Sequence, residues 1–173
     1  GLMTDLGARK PVLALAEAIP VDRRRAHDDY PDRHDPHVWM DPALWMLAAA
    51  AARDALTALR PEAAVDFAAG FDAYAADLAE LDFYAREALA TVPEQSRVLV
   101  TAHDAFGYFG KAYGFEVLGV QGISTEAEAG LARIEELVET LVSRRVPAVF
   151  VETSVSERNV RALVEGAAAR GHS

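Results

Sequence analysis

The chain has 173 residues, 51% of them hydrophobic, and a mean hydropathy near zero, enough apolar material for a core in a water-exposed protein. A formal charge of -10, with acidic residues along the whole length, repels phosphate backbones and anionic lipid surfaces, so nucleic acid is excluded as a partner. The absence of cysteine removes thiolate zinc sites, thiol nucleophiles and disulfides, and any metal site must be built from histidine and carboxylate.

The chain opens at Gly-Leu-Met-Thr-Asp, with neither a start methionine nor a basic and apolar leader, and closes on Ala-Ala-Arg-Gly-His-Ser just after a helical pattern. Both ends therefore read as cut. No apolar run approaches the roughly 20 residues of a membrane span. Pro11 to Ala16 predicts a short buried strand, and the polar stretch Pro20 to Pro36 a loop. Asp41 followed by Pro42 supplies an N-cap and a first-turn proline for a helix that Pro61 stops. From Pro61 to about Thr91, Phe67, Phe71, Tyr74, Leu78 and Leu81 recur at alternating spacings of four and three, which predicts one long helix. It is either a spine between two lobes or a plain amphipathic packing helix.

Beyond Pro93 the pattern alternates: strand Val98 to Thr101, helix Ala105 to Tyr113, strand Phe115 to Val120, helix Leu131 to Arg144, strand Ala148 to Glu152, helix Glu157 to Arg170. That is a parallel α/β unit, with Gly114 and Gly171 at C-terminal caps and Ser156 at an N-cap. Ligands of such sheets bind beyond the carboxyl ends of the strands. The residues expected there are His103, the segment Gly122 to Glu128, and Glu152.

Two histidines carry candidate chemistry. His37 lies in Asp-Pro-His-Val-Trp-Met-Asp-Pro, where two Asp-Pro turns fix the direction of the imidazole; it is a metal ligand or a histidine packed beside Trp39. His103 follows a strand and precedes a helix in Thr-Ala-His-Asp-Ala-Phe-Gly-Tyr-Phe, projecting into a cleft or serving as a helix-entry residue, with Asp104 in the helix's first turn complementing its dipole. His27, Asp28, Asp29 and His34 read as a solvated cluster in the loop. There is no Gly-x-Ser-x-Gly elbow, no His-Glu-x-x-His helix and no phosphate-cradling glycine loop, so serine hydrolase, zincin and nucleotide chemistries have no motif here.

Taken in order, Asp35-Pro-His-Val-Trp-Met-Asp-Pro, Thr101-Ala-His-Asp-Ala-Phe-Gly-Tyr-Phe, Gly122-Ile-Ser-Thr-Glu-Ala-Glu and Val149-Phe-Val-Glu-Thr-Ser-Val resemble the TroA-like (cluster A-I) family of zinc- and manganese-binding extracytoplasmic solute-binding proteins of ABC transporters. The resemblance spans nearly the whole chain. It implies two α/β lobes with parallel sheets, joined by one long rigid helix, with the metal in the interlobe cleft. Residues 1-60 would be the C-terminal part of the first lobe, 61-92 the connecting helix and 93-173 the N-terminal part of the second lobe. His37 and His103 match two of the family's four protein ligands, while a histidine ahead of Gly1 and an aspartate beyond Ser173 have no counterpart, so the chain reads as an internal fragment.

The resemblance further implies a transported Mn(II) or Zn(II) ion rather than a catalytic cofactor, an ABC permease as membrane partner, a monomer, and a periplasmic or lipid-anchored location. Histidine at position 103 pulls toward zinc, and the lack of a long His-rich loop pulls toward manganese. An enzyme is not implied. The alternatives are a metal-dependent α/β hydrolase, distinguished by an open water-bearing coordination position, and a surface adhesin. Glu152 ends the strand beside the one that delivers His103, so it is expected to accept that ligand's free N-H, unless it caps a helix or pairs near Ser156 and Arg158.

Overall fold

The computed structural model describes residues 2–27, 32–123, 130–153 and 155–172. Asp28, Asp29 and the acids Glu126 and Glu128 lie outside these residues. The chain divides into two compact units, one of residues 1–24 and 41–84 and one of residues 25–40 and 85–173.

The first unit is helical. Helix α1 spans Leu2–Gly7, α2 Pro42–Leu59 and α3 Ala64–Ala90, the last running past Tyr84 into the second unit. The Asp41 carboxylate accepts from the backbone N-H groups of Ala43 and Leu44, and Pro42 occupies the first turn, as the sequence predicts. Helix α3 follows a 3-10 turn at Pro61–Ala63, and its 27 residues extend about 40 Å. Trp45 donates to the Tyr74 hydroxyl at 2.9 Å and the Arg53 guanidinium lies 4.5 Å from the Phe71 ring centre, tying α2 to α3.

The strand expected over Pro11 to Ala16 does not form. Leu15–Ala18 is a 3-10 turn, Val12 and Leu13 are exposed, and no strand of the first unit is present among the described residues to pair with this segment. The apolar anchor is instead Ile19, fully buried.

The second unit holds three parallel strands, β1 Val98–His103, β2 Glu116–Gln121 and β3 Val149–Phe150, in the order β2-β1-β3. Alternation puts Val100, Ala102 and Val120 on one face, packed with Ile134, Leu137, Val138 and Leu141 of α5 (Leu131–Arg144) and Val160, Leu163 and Ala167 of α6 (Arg158–Ala169). Thr101 and His103 consequently belong to the other face. Helix α4, Gly107–Tyr113, joins β1 to β2 and ends at Gly114, whose φ of 73° is the left-handed cap read from the sequence.

Two local expectations are corrected. Helix α4 starts at Gly107, so Asp104 is not in its first turn: the chain turns tightly after His103, with Ala105 N-H donating to the His103 carbonyl and Asp104 N-H to the Gln121 carbonyl. This turn folds over Gly119, where an added Cβ would lie 2.6 Å from the Asp104 nitrogen. Helix α6 starts at Arg158, and Ser156 sits one residue ahead of the cap position, its hydroxyl accepting from Arg158 N-H at 3.3 Å.

Candidate metal site

The sheet order 2-1-3 means that the connections from β1 and to β3 leave on opposite sides, and the crevice at such a reversal, beyond the carboxyl ends of the strands, is where open α/β sheets bind ligands. His103 is the last residue of β1, and Glu152 lies two residues past β3. The Glu152 carboxylate reaches back to His103 twice, accepting from its backbone N-H at 3.1 Å and lying 2.7 Å from its ring Nδ1.

His37 comes from the segment 25–40, which belongs to the same compact unit as the sheet. Its ring is 5.5 Å from that of His103, centre to centre, at an interplanar angle of 65°. Both imidazoles are buried, 9% and 7% exposed. Asp35, two residues upstream across Pro36, is fully buried, and its Oδ1 accepts from the backbone N-H of His37 at 2.9 Å and contacts the ring Nδ1 at 2.8 Å. Trp39 stands edge-on to His37 at 5.4 Å.

The two histidines share much of their surroundings. Each has a carboxylate oxygen within 2.8 Å of Nδ1 and a main-chain N-H bonded to the same carboxylate. Only the His37–Asp35 ring contact has hydrogen-bond geometry; the His103–Glu152 ring contact is an ion-pair distance that leaves Nδ1 without a hydrogen-bond partner. In a neutral imidazole, an Nδ1-H that donates to a carboxylate, as Asp35 can accept at His37, leaves the Nε2 lone pair available to an electrophile and holds the ring in direction. Imidazole donors suit zinc and its first-row neighbours, and manganese would call for oxygen donors beside them. An imidazole nitrogen about 2.1 Å from an ion places the ring centre roughly 3.2 Å away, and two such rings at a tetrahedral angle are then about 5.2 Å apart. The observed 5.5 Å is close to that spacing, which an edge-on contact of two rings also has.

Asp35 carries a role that the sequence reading missed. It was visible as half of an Asp-Pro turn, and the signal that marks it is an acid two residues before a histidine across a proline. Arg25 and Tyr108 give no such signal. The Arg25 Nε lies 3.3 Å from Asp35 Oδ2 and its Nη1 donates to the Gly107 carbonyl, while the Tyr108 hydroxyl accepts from Arg25 N-H and donates to the Asp35 carbonyl. The loop cluster does not join the site as described: His34 is exposed and pairs through its main chain with Ala26, whereas His27 is buried rather than solvated. Among the described residues there is no group of three His, Cys, Asp or Glu side chains arranged to hold one ion. None of the described helices is long and apolar enough to cross a membrane.

Comparison with known proteins gives a consistent picture. A family model described as ZnuA, zinc-uptake complex component A, periplasmic, matches residues 2–172. The chain is 42% identical over 171 residues to the zinc-binding protein TroA of Treponema pallidum and 43% identical over 171 residues to the manganese-binding lipoprotein MntA of Bacillus subtilis. Each alignment covers 99% of this chain but only 55% and 56% of the relative, so the chain spans about half the length of the proteins it matches. The solved structure of the periplasmic zinc-binding TroA of Treponema pallidum superposes with a TM-score of 0.92, covering 98% of this chain and 60% of that one.

Proposed function

The chain belongs to the family of zinc-uptake complex component A, periplasmic (ZnuA), and from that premise we propose that it is the metal-gripping part of an extracytoplasmic binding protein that hands Zn(II) or Mn(II) to an ABC permease. His37 and His103 are the ligands, each through Nε2, and the ion is cargo. The observation that carries this reading is the paired arrangement, two buried imidazoles 5.5 Å apart with a carboxylate within 2.8 Å of each Nδ1. A carboxylate behind a ligating imidazole fixes its tautomer and strengthens it as a donor. Asp35 and Glu152 take that role.

A carrier differs from a metalloenzyme in closing the coordination sphere with protein instead of keeping a position for water. Binding without turnover is the reading adopted, supported by relatives named as zinc- and manganese-binding proteins. The same proposal takes in a location outside the cytoplasmic membrane, a permease partner and a division into parts of two lobes with α3 as connector; membership of the family supports the location and the partner. The two imidazoles favour Zn(II) and a carboxylate donor would favour Mn(II); since Asp35 and Glu152 stand behind the rings, selectivity is left to the remaining donors, geometry and supply.

Calorimetric titration of the intact protein with Zn(II) and Mn(II), before and after replacing His37 and His103 together by Ala, tests the assignment. Affinity is expected to fall by orders of magnitude. Unchanged binding in the double variant would remove both histidines from the site.

A further inference from the structure

We propose that Arg25 is a positioning residue for the metal: it fixes Asp35, and through Asp35 the His37 ring, relative to the helix that follows His103. The inference rests on the metal-binding reading of the two histidines. Asp35 is 1% exposed, and its two oxygens are divided: Oδ1 takes both His37 contacts and Oδ2 faces the Arg25 guanidinium at 3.3 Å. The terminal torsion of an aspartate is broad, so two hydrogen bonds on one oxygen do not by themselves stop the carboxylate from swinging. The Arg25 cation beside the opposite oxygen opposes that swing by charge: the contact is an ion pair at 3.3 Å without hydrogen-bond geometry, in a buried setting where Coulomb attraction is little screened.

Arg25 is itself held to α4. Its Nη1 donates to the Gly107 carbonyl at 3.1 Å, its backbone N-H donates to the Tyr108 hydroxyl at 2.9 Å, and its carbonyl accepts from Asp35 N-H at 3.0 Å. The guanidinium covers Gly107 so closely that an added Cβ would sit 2.3 Å from its carbon. Since α4 is the helix entered four residues after His103, the contact fastens the loop bearing His37 to the element that continues from His103. The separation of the two rings is therefore set through Arg25, at 82 residues' distance in sequence from Gly107.

Arg25→Gln removes the charge and the fork while keeping a polar stem. In metal-free protein, nitrogen-15 spectra of the imidazoles should show His37 passing from one tautomer to a mixture, with His103 unchanged. Zinc affinity, measured by competition with a chelator, should fall about tenfold, the lower end of the range for groups that orient a ligand. In an Asp35→Asn background the same substitution should add almost nothing, because it acts through Asp35. Retention of a single His37 tautomer, or a loss of affinity that adds in full to that of Asp35→Asn, would overturn the inference. Should Arg25→Gln fail to fold, Arg25→Lys carries the same test, with intermediate shifts expected and wild-type ring signals contradicting it. If wild-type protein binds no zinc, the proposed function fails, and the tautomer of His37 alone decides the role of Arg25.

Discussion

At His37 and His103 a carboxylate stands within 2.8 Å of each Nδ1, hydrogen-bonded at His37 and at ion-pair distance at His103, and this makes a quantitative expectation. Groups that hold a ligating imidazole from behind are worth roughly 10- to 100-fold in metal affinity. Asp35→Asn and Glu152→Gln should each weaken zinc binding by that amount in a chelator competition, with secondary structure intact by circular dichroism; affinity equal to wild type in either variant would show that its carboxylate does not serve the site. His37 and His103 were legible as candidates because each lies in a short, rigid string of characteristic residues. Glu152 was legible because strands of a parallel sheet end side by side. Arg25 was not, since its partners Gly107 and Tyr108 are brought to it only by the tertiary fold.

Among the elements, those with strong period and clear punctuation came out as read: α5 matches its expected bounds, and β1, β2 and α6 differ by one or two residues. The failures share a cause. Pro11 to Ala16 has the composition of a strand but no described partner to pair with, and the start of α4 is delayed by a turn whose main-chain bonds reach the neighbouring strand. Pattern records what a segment prefers, whereas pairing and tight turns depend on what lies beside it. Two substitutions separate packing from placement. Leu163→Ala, at a fully buried position facing the sheet, should cost about 2–5 kcal/mol in chemical denaturation and leave zinc affinity unchanged. Gly119→Ala pushes a methyl against the Asp104 backbone, so it should destabilise by about 1–3 kcal/mol and also weaken zinc binding by displacing His103. Equal metal affinities in the two variants would argue against the turn as the element that aims His103.

For the whole molecule, a net charge of -10 favours the approach of cations over anions. The chain matches its relatives over only about half their length, and the proposed site draws two ligands, His37 and His103, from it. An ion that binds only the folded state stabilises it by RT ln(1 + [L]/Kd), about 4 kcal/mol at a thousandfold excess over Kd. The 173-residue chain should therefore show a much smaller rise in melting temperature with micromolar Zn(II) than a protein with all four ligands; a large rise would mean that further residues of this chain complete the site. The central claim, that His37 and His103 grip the ion directly, is tested most directly by X-ray absorption at the zinc edge of the loaded protein. The account predicts imidazole scattering with a nitrogen shell at about 2.0–2.1 Å that loses one imidazole in His37→Ala and one in His103→Ala. A spectrum without imidazole, or one that neither substitution alters, would contradict it.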